Sequence, residues 1–259
     1  MNHIVLTTPR SRRYRGPSAW ADLTARQYHQ YLNWQENLDG SMAGAFVLFM
    51  HWYGMSYAVL RLVTDEQRNT LVRLLAFTDT PPNVWLLPRL RVRGWLFLGP
   101  GNGLAHLPFG AFMFAETALL AYNHQPDRTY LVDLAASVYA PKAWFYEKKA
   151  EGGRVMVARQ DLTTYANAIR TLPDQTLRGI YLLYVGSRSA FPRQFPHLFR
   201  AAEGDGAPTT WLDVGLSLAR QTGALGTFDE ISQQPVFLVL TMLNSMIAEA
   251  EKLNAATAR

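Results

Sequence analysis

The stretch WADLTARQYHQYLNWQENL, residues 20–38, sets how the rest of the chain is read. Thr24 followed three residues later by Gln27 is a capping box. The Thr hydroxyl accepts the N–H of Gln27 while the Gln side chain reaches back to the amide of Thr24. Leu23 and Tyr28 stand at the positions of a hydrophobic staple. Tyr28, Tyr31, Leu32 and Leu38 follow on roughly one stripe, which predicts a helix running to about Glu36. The same box recurs at Thr64 with Gln67, ahead of an apolar face of Leu71, Leu74 and Leu75, and at Thr227 with Glu230. Three such starts predict a mainly α protein.

Working outward, Pro108 precedes a helix expected over Phe109 to Tyr122, and Asp127 is placed to cap the next, which Pro141 stops. Helices are also expected over Leu162–Thr171, Asp174–Val185, Trp211–Ala219 and Pro235–Ala256, with Gly223 as a C-terminal stop. Phe191, Phe195 and Phe199 recur every fourth residue in a Pro- and Gly-rich stretch, which suggests a loop pinned to the core. Trp20, Trp52, Phe112, Tyr139 and Trp211 are expected in the core.

Residues 81–103 break the helical pattern. Pro81-Pro82 closes a helix, then Arg89, Arg91 and Arg93 alternate with Leu90 and Val92 at a period of two. Gly99, Pro100, Gly101, Asn102 and Gly103 supply turn chemistry. A short hairpin with three arginines on one face is expected. These arginines are candidates for partner contact, the other reading being a solvated strand face. Gly152-Gly153 marks a second turn in the charged segment 143–160, a mobile loop or small hairpin.

The whole reads as a single multi-helix domain over residues 20–259, with about eight to ten helices and one or two short β-hairpins. An extended basic arm over residues 1–19 precedes it. Four of the five net positive charges reside in that arm: Arg10, Arg12, Arg13 and Arg15 stand there with no acid, and the other 21 basic residues face 20 acidic ones. The body therefore lacks the broad basic face of a nucleic-acid-binding domain. The arm could lie on an acidic partner or on phosphates, or remain a solvated tail.

Residues 40–60 carry no charge, which raises a membrane span. His51, Trp52, Tyr53, Gly54, Ser56 and Tyr57 in their second half instead favour a buried helix pair broken near Gly54. No secretory signal is expected, since Ile4–Leu6 is too short for an apolar signal core. With no cysteine there is neither a disulfide framework nor thiolate chemistry. The six histidines show no i, i+4 pair, and no metal or cofactor site is expected. Gly215-Leu216-Ser217-Leu218-Ala219 imitates a nucleophile elbow, but Leu212, Leu216 and Ala219 keep helical spacing through the serine. Gly99 to Gly103 lacks the Lys-Ser/Thr of a phosphate-binding loop. No catalytic residue is expected.

Four short motifs also occur in a telling order. They are Trp20 to Gln27, read W-x-x-L-T-x-x-Q; Leu107-Pro-Phe109-Gly110-Ala-Phe112 with Glu116, close to L-T-F-G-x-F; Leu134 to Pro141, close to L-x-A-x-L-Y-x-P; and Gly223 to Phe228 before an apolar, then acidic helix. In combination they resemble a family of phage and prophage tail-module proteins. The resemblance implies a non-enzymatic structural or tail-assembly role through protein–protein contacts. The implied partners are other subunits of a phage-like particle or a second copy of the chain, and the implied location is the cytoplasm during assembly, with incorporation into the virion left open. The family supplies no catalytic residue. A soluble enzyme of unrecognised type and a nucleic-acid-binding module using the arm are the alternatives.

Overall fold

The computed structural model describes residues 1–6, 12–37, 42–143, 149–155, 161–200, 210–221 and 226–257. Among them the fold is mainly α, with twelve helices and three small antiparallel sheets. The chain begins with strands β1 (Asn2–Leu6) and β2 (Arg12–Gly16), followed by α1 (Ala25–Asn37), α2 (Met42–Tyr53), α3 (Tyr57–Arg61) and α4 (Asp65–Arg73). Next come β3 (Arg89–Val92), β4 (Trp95–Leu98), α5 (Phe109–His124), α6 (Arg128–Val138), β5 (Ala140–Pro141), β6 (Lys149–Ala150) and β7 (Arg154–Val155). The remainder is helical: α7 (Leu162–Ile169), α8 (Asp174–Arg188), α9 (Phe191–Gln194), α10 (Trp211–Gln221), α11 (Phe228–Gln233) and α12 (Val236–Thr257). The chain divides into two compact units, Met1–Leu87 with Pro173–Gly186, and Pro88–Leu172 with Ser187–Arg259. There are more helices than the eight to ten expected because α3, α9 and α11 are only one to two turns long.

All three capping boxes form. Thr24 Oγ1 accepts from Gln27 N–H at 3.2 Å while Thr24 N–H donates to Gln27 Oε1 at 2.9 Å. Thr64 with Gln67 and Thr227 with Glu230 repeat the exchange. In the first unit α1 buries Tyr28, Tyr31 and Leu32; Leu38 lies outside the described residues. Trp20 sits edge-on to Tyr31 and Phe77, with centroids at 4.9 and 5.4 Å, and its Nε1–H donates to Thr80 O at 2.9 Å. Trp52 stacks on Phe77 from α2. Gly54, at φ 67°, breaks the apolar segment into α2 and α3, and Ser56 caps α3. Among the described residues no helix is long and apolar enough to cross a membrane.

The basic arm is extended but not a free tail. β1 pairs antiparallel with β2, from Asn2 opposite Gly16 to Leu6 opposite Arg12. Gly16 lies flat against the Tyr53 ring of α2, and the Tyr53 hydroxyl donates to Pro17 O at 2.8 Å. Just beyond, the Asp22 carboxylate accepts from both the N–H and the hydroxyl of Ser18 at 2.8 Å, which holds its pKa down at about 2. An unfolded Asp titrates near ~3.9, so this bond contributes fully above that pH and is lost as pH falls toward 2. Asp22→Asn is therefore expected to flatten the fall in melting temperature between about pH 4 and 2, a change read from thermal unfolding across that range.

In the second unit α5 buries residues around most of its circumference and packs on α6. Asp127 caps α6, accepting from Thr129 N–H at 2.6 Å. Phe191, Phe195 and Phe199 join Phe112, Phe237 and Trp211 in one aromatic cluster, so the expected pinning of this segment is realised. Trp20, Trp52, Phe112 and Tyr139 are buried, as expected; Trp211 is only half-buried, edge-on to Phe112 at 5.0 Å. Phe112→Ala is accordingly expected to cost about 3–5 kcal/mol and Trp211→Ala clearly less. Urea unfolding of the two variants ranks them.

The described part of the 143–160 segment is the small hairpin β6–β7. Buried Arg154 fastens it, donating to Val138 O at the end of α6 and to His106 O, both at 2.7 Å. The carbonyl end of a helix favours a cation, while burial pulls the guanidinium pKa down to about 10. The proposed stop at Gly223 lies outside the described residues.

Candidate functional site

The sequence directs attention to seven arginines, and the structure distributes them over two hairpins, one in each unit. Arg10 lies outside the described residues. In the first hairpin, residues directly opposite one another share a face. Arg13 pairs with Val5 and Arg15 with His3, so these four side chains occupy one exposed face. Arg12, exposed, belongs to the other face, whose Ile4, Tyr14 and Gly16 are partly or fully covered. Among the described residues the arm thus presents two arginines together, with Arg12 on the other face.

In the second hairpin β3 pairs with β4 from Arg89 opposite Leu98 to Val92 opposite Trp95. One face carries Leu90, Val92, Phe97 and Trp95. Phe97 is fully buried, edge-on to Tyr165 of α7 at 5.8 Å. The opposite face carries exposed Arg89 and Arg91 beside half-buried Leu96 and Leu98. Two of the three arginines therefore share a face, as the period of two predicts. Arg93 does not: it occupies the two-residue turn with Gly94.

Both turn residues have positive φ, 48° at Arg93 and 82° at Gly94. This is the type I′ arrangement, which suits Asn-Gly and penalises a long side chain at its first position. Arg93→Asn is expected to raise stability by about 0.5–1 kcal/mol. A fall in the urea midpoint would show that the arginine side chain makes a contact worth more than the strain.

Among the described residues none of the six visible arginines pairs with a carboxylate, whereas Arg68, Arg178, Arg188 and Arg200 do. The unpaired cations are available for acidic or phosphate groups, whose approach they would steer electrostatically.

Other charged side chains of the second unit fasten its segments to one another. Glu116 of α5 accepts from Arg188 Nε at 2.7 Å. Glu251 of α12 receives His197 Nδ1 at 2.8 Å and Arg200 at 3.0 Å, and Asn244 Oδ1 accepts from the amides of His197 and Leu198. Together these contacts fasten residues 197–200 to α12. Arg128 donates to the carbonyls of Arg170 and Leu172 just after α7, both at 2.9 Å. Burial pushes the Asp133 carboxyl up despite nearby Arg170. Among the described residues no group of three or more His, Asp or Glu could hold a metal ion. Ser217 lies in the middle of α10, and Gly215 is small because Phe228, Met113 and Phe109 crowd its Cα at 3.1–3.4 Å from a would-be Cβ. The strand–turn–helix of a nucleophile elbow is therefore absent there.

Leu96, Leu98, His3 and Val5 join the two exposed faces although nothing in the local sequence singled them out. Their membership follows from strand register, for which the Arg93-Gly94 turn is a local signal in the second hairpin alone. No known protein family, curated protein or solved structure matches this chain.

Proposed function

We propose that this protein is a non-enzymatic structural or assembly component of a phage-like particle, of the tail-module kind that its motifs resemble, acting through protein–protein contacts in the cytoplasm where particles form. The observation that supports this most directly is the concentration of unpaired arginines on two exposed hairpins, each held on a packed helical unit. Rigid, basic projections on a near-neutral body suit docking to acidic neighbouring subunits.

Deleting residues 1–17 would not test this cleanly, because Gly16 packs against the Tyr53 ring and Pro17 O accepts from the Tyr53 hydroxyl. The informative variant is Arg12→Gln with Arg13→Gln and Arg15→Gln, which keeps the ladder and removes three of the arm's four arginine charges. Introduced into the encoding genome, it is expected to lower the yield of assembled particles at least about tenfold while the purified chain melts unchanged. The parent chain should co-sediment with particles or particle intermediates and be released by 1 M salt, where the Debye length is ~3 Å. Unchanged particle yield together with no co-sedimentation would overturn the reading. Selective loss of DNA or RNA binding would place a nucleic-acid role ahead of it.

A further inference from the structure

We infer that the open edge of β3 is a docking site for an extended acidic segment of a partner protein, added as a further strand. This rests on the protein-contact reading above and names the chemistry of one contact. The two-residue turn makes Val92 and Trp95 the first hydrogen-bonded pair of the ladder, so Leu90 with Phe97 is the next. Gly99 N–H donating to Pro88 O at 3.0 Å continues the same alternation. Arg89 and Arg91 therefore turn their N–H and C=O groups away from β4. Since β3 is an outer strand of its sheet, those groups form an edge that no other described strand pairs with.

The charge on this edge selects its occupant. Arg89, Arg91 and Arg93 stand in a stretch, residues 80–115, that contains no Asp or Glu. A second copy of the edge would set arginine against arginine, a like-charge pairing that disfavours self-association. An extended segment with carboxylates two residues apart, both on one side, would meet Arg89 and Arg91 while its backbone completes the ladder. Its alternate apolar side chains would follow the sheet's covered face, and Leu96 and Leu98 offer apolar surface beside the arginines. An arginine in place of the turn's favoured Asn adds a third cation at the end of the same strand.

The probe is a short peptide of alternating glutamate and valine, titrated into the isotopically labelled full chain. Binding should shift the Arg89 and Arg91 amide resonances and slow their hydrogen exchange. Arg89→Glu with Arg91→Glu should weaken this peptide at least about tenfold and gain a lysine–valine counterpart to a similar extent. Two further peptides are N-methylated, one at its glutamates and the other at its valines. Only the version whose blocked N–H groups face β3 should lose binding, again by about tenfold or more. If both bind like the parent, the surface works by charge without strand addition and the inference fails. It fails equally if millimolar peptide produces no shift, or if a single-stranded oligonucleotide of equal charge displaces the peptide at equal concentration. All of these measurements use the isolated chain, so their failure leaves the particle-yield test standing.

Discussion

Arg188→Met is expected to destabilise the second unit by about 3–5 kcal/mol, the cost of taking away the cation beside a buried carboxylate. The two partners are unequal. Glu116 is 1% exposed and Arg188 37% exposed. Without Arg188, the Glu116 carboxylate stays buried on α5, as Phe112, Met113 and Leu119 are, and loses a charge-assisted bond. Without the charge on Glu116, the guanidinium can turn to solvent. Glu116→Gln should thus cost less, about 1.5–3 kcal/mol, the worth of one hydrogen bond to a charged group. The double replacement Glu116→Leu with Arg188→Met should recover most of the loss, since a buried pair exchanged for apolar groups of similar volume is close to neutral. Urea unfolding of these variants together with Glu116→Leu alone closes the cycle that gives the coupling energy. A larger cost for Glu116→Gln than for Arg188→Met would reverse the assignment of the buried partner.

Gly186→Ala is expected to cost about 3 kcal/mol, at the upper end of overpacking penalties. Gly186 lies in α8, where alanine ordinarily gains ~1 kcal/mol over glycine. Here a Cβ would run into the carbonyl oxygen of Pro82, with the carbonyl carbon of Pro81 only 2.9 Å away. The obstacle is backbone stiffened by two consecutive prolines, so it cannot rotate aside. Gly179, seven residues earlier in the same helix, provides the control. Its Cβ would meet the tip of the Leu32 side chain and Tyr28 Cε1 at 3.4 Å, and the leucine can change rotamer. Gly179→Ala should lie well below Gly186→Ala in cost. A melting temperature for Gly186→Ala at or above that of the parent would show that the Pro81-Pro82 segment yields.

The features legible in the sequence are those closed within a few residues. Thr24, Thr64 and Thr227 each bond to a residue three positions on, so the boxes could be read without knowing what the helices pack against. The break at Gly54, the cap at Asp127 and the alternation of Arg89 with Leu90 are of the same local kind. Tertiary structure settled the rest. Whether the basic arm trails or folds back depends on pairing β1 with β2 and on Tyr53, some 36 residues beyond Pro17. Glu116 finds Arg188 across 72 residues, and Tyr28 donates to Gly179 across 151. For the candidate site, the sequence determined that the arginines exist and alternate. Register alone decided that Arg13 and Arg15 share a face, that Arg12 does not, and that Arg93 belongs to a turn. A one-residue shift moves every side chain to the opposite face, and contacts that hold a register come from parts of the chain that local spacing does not reach.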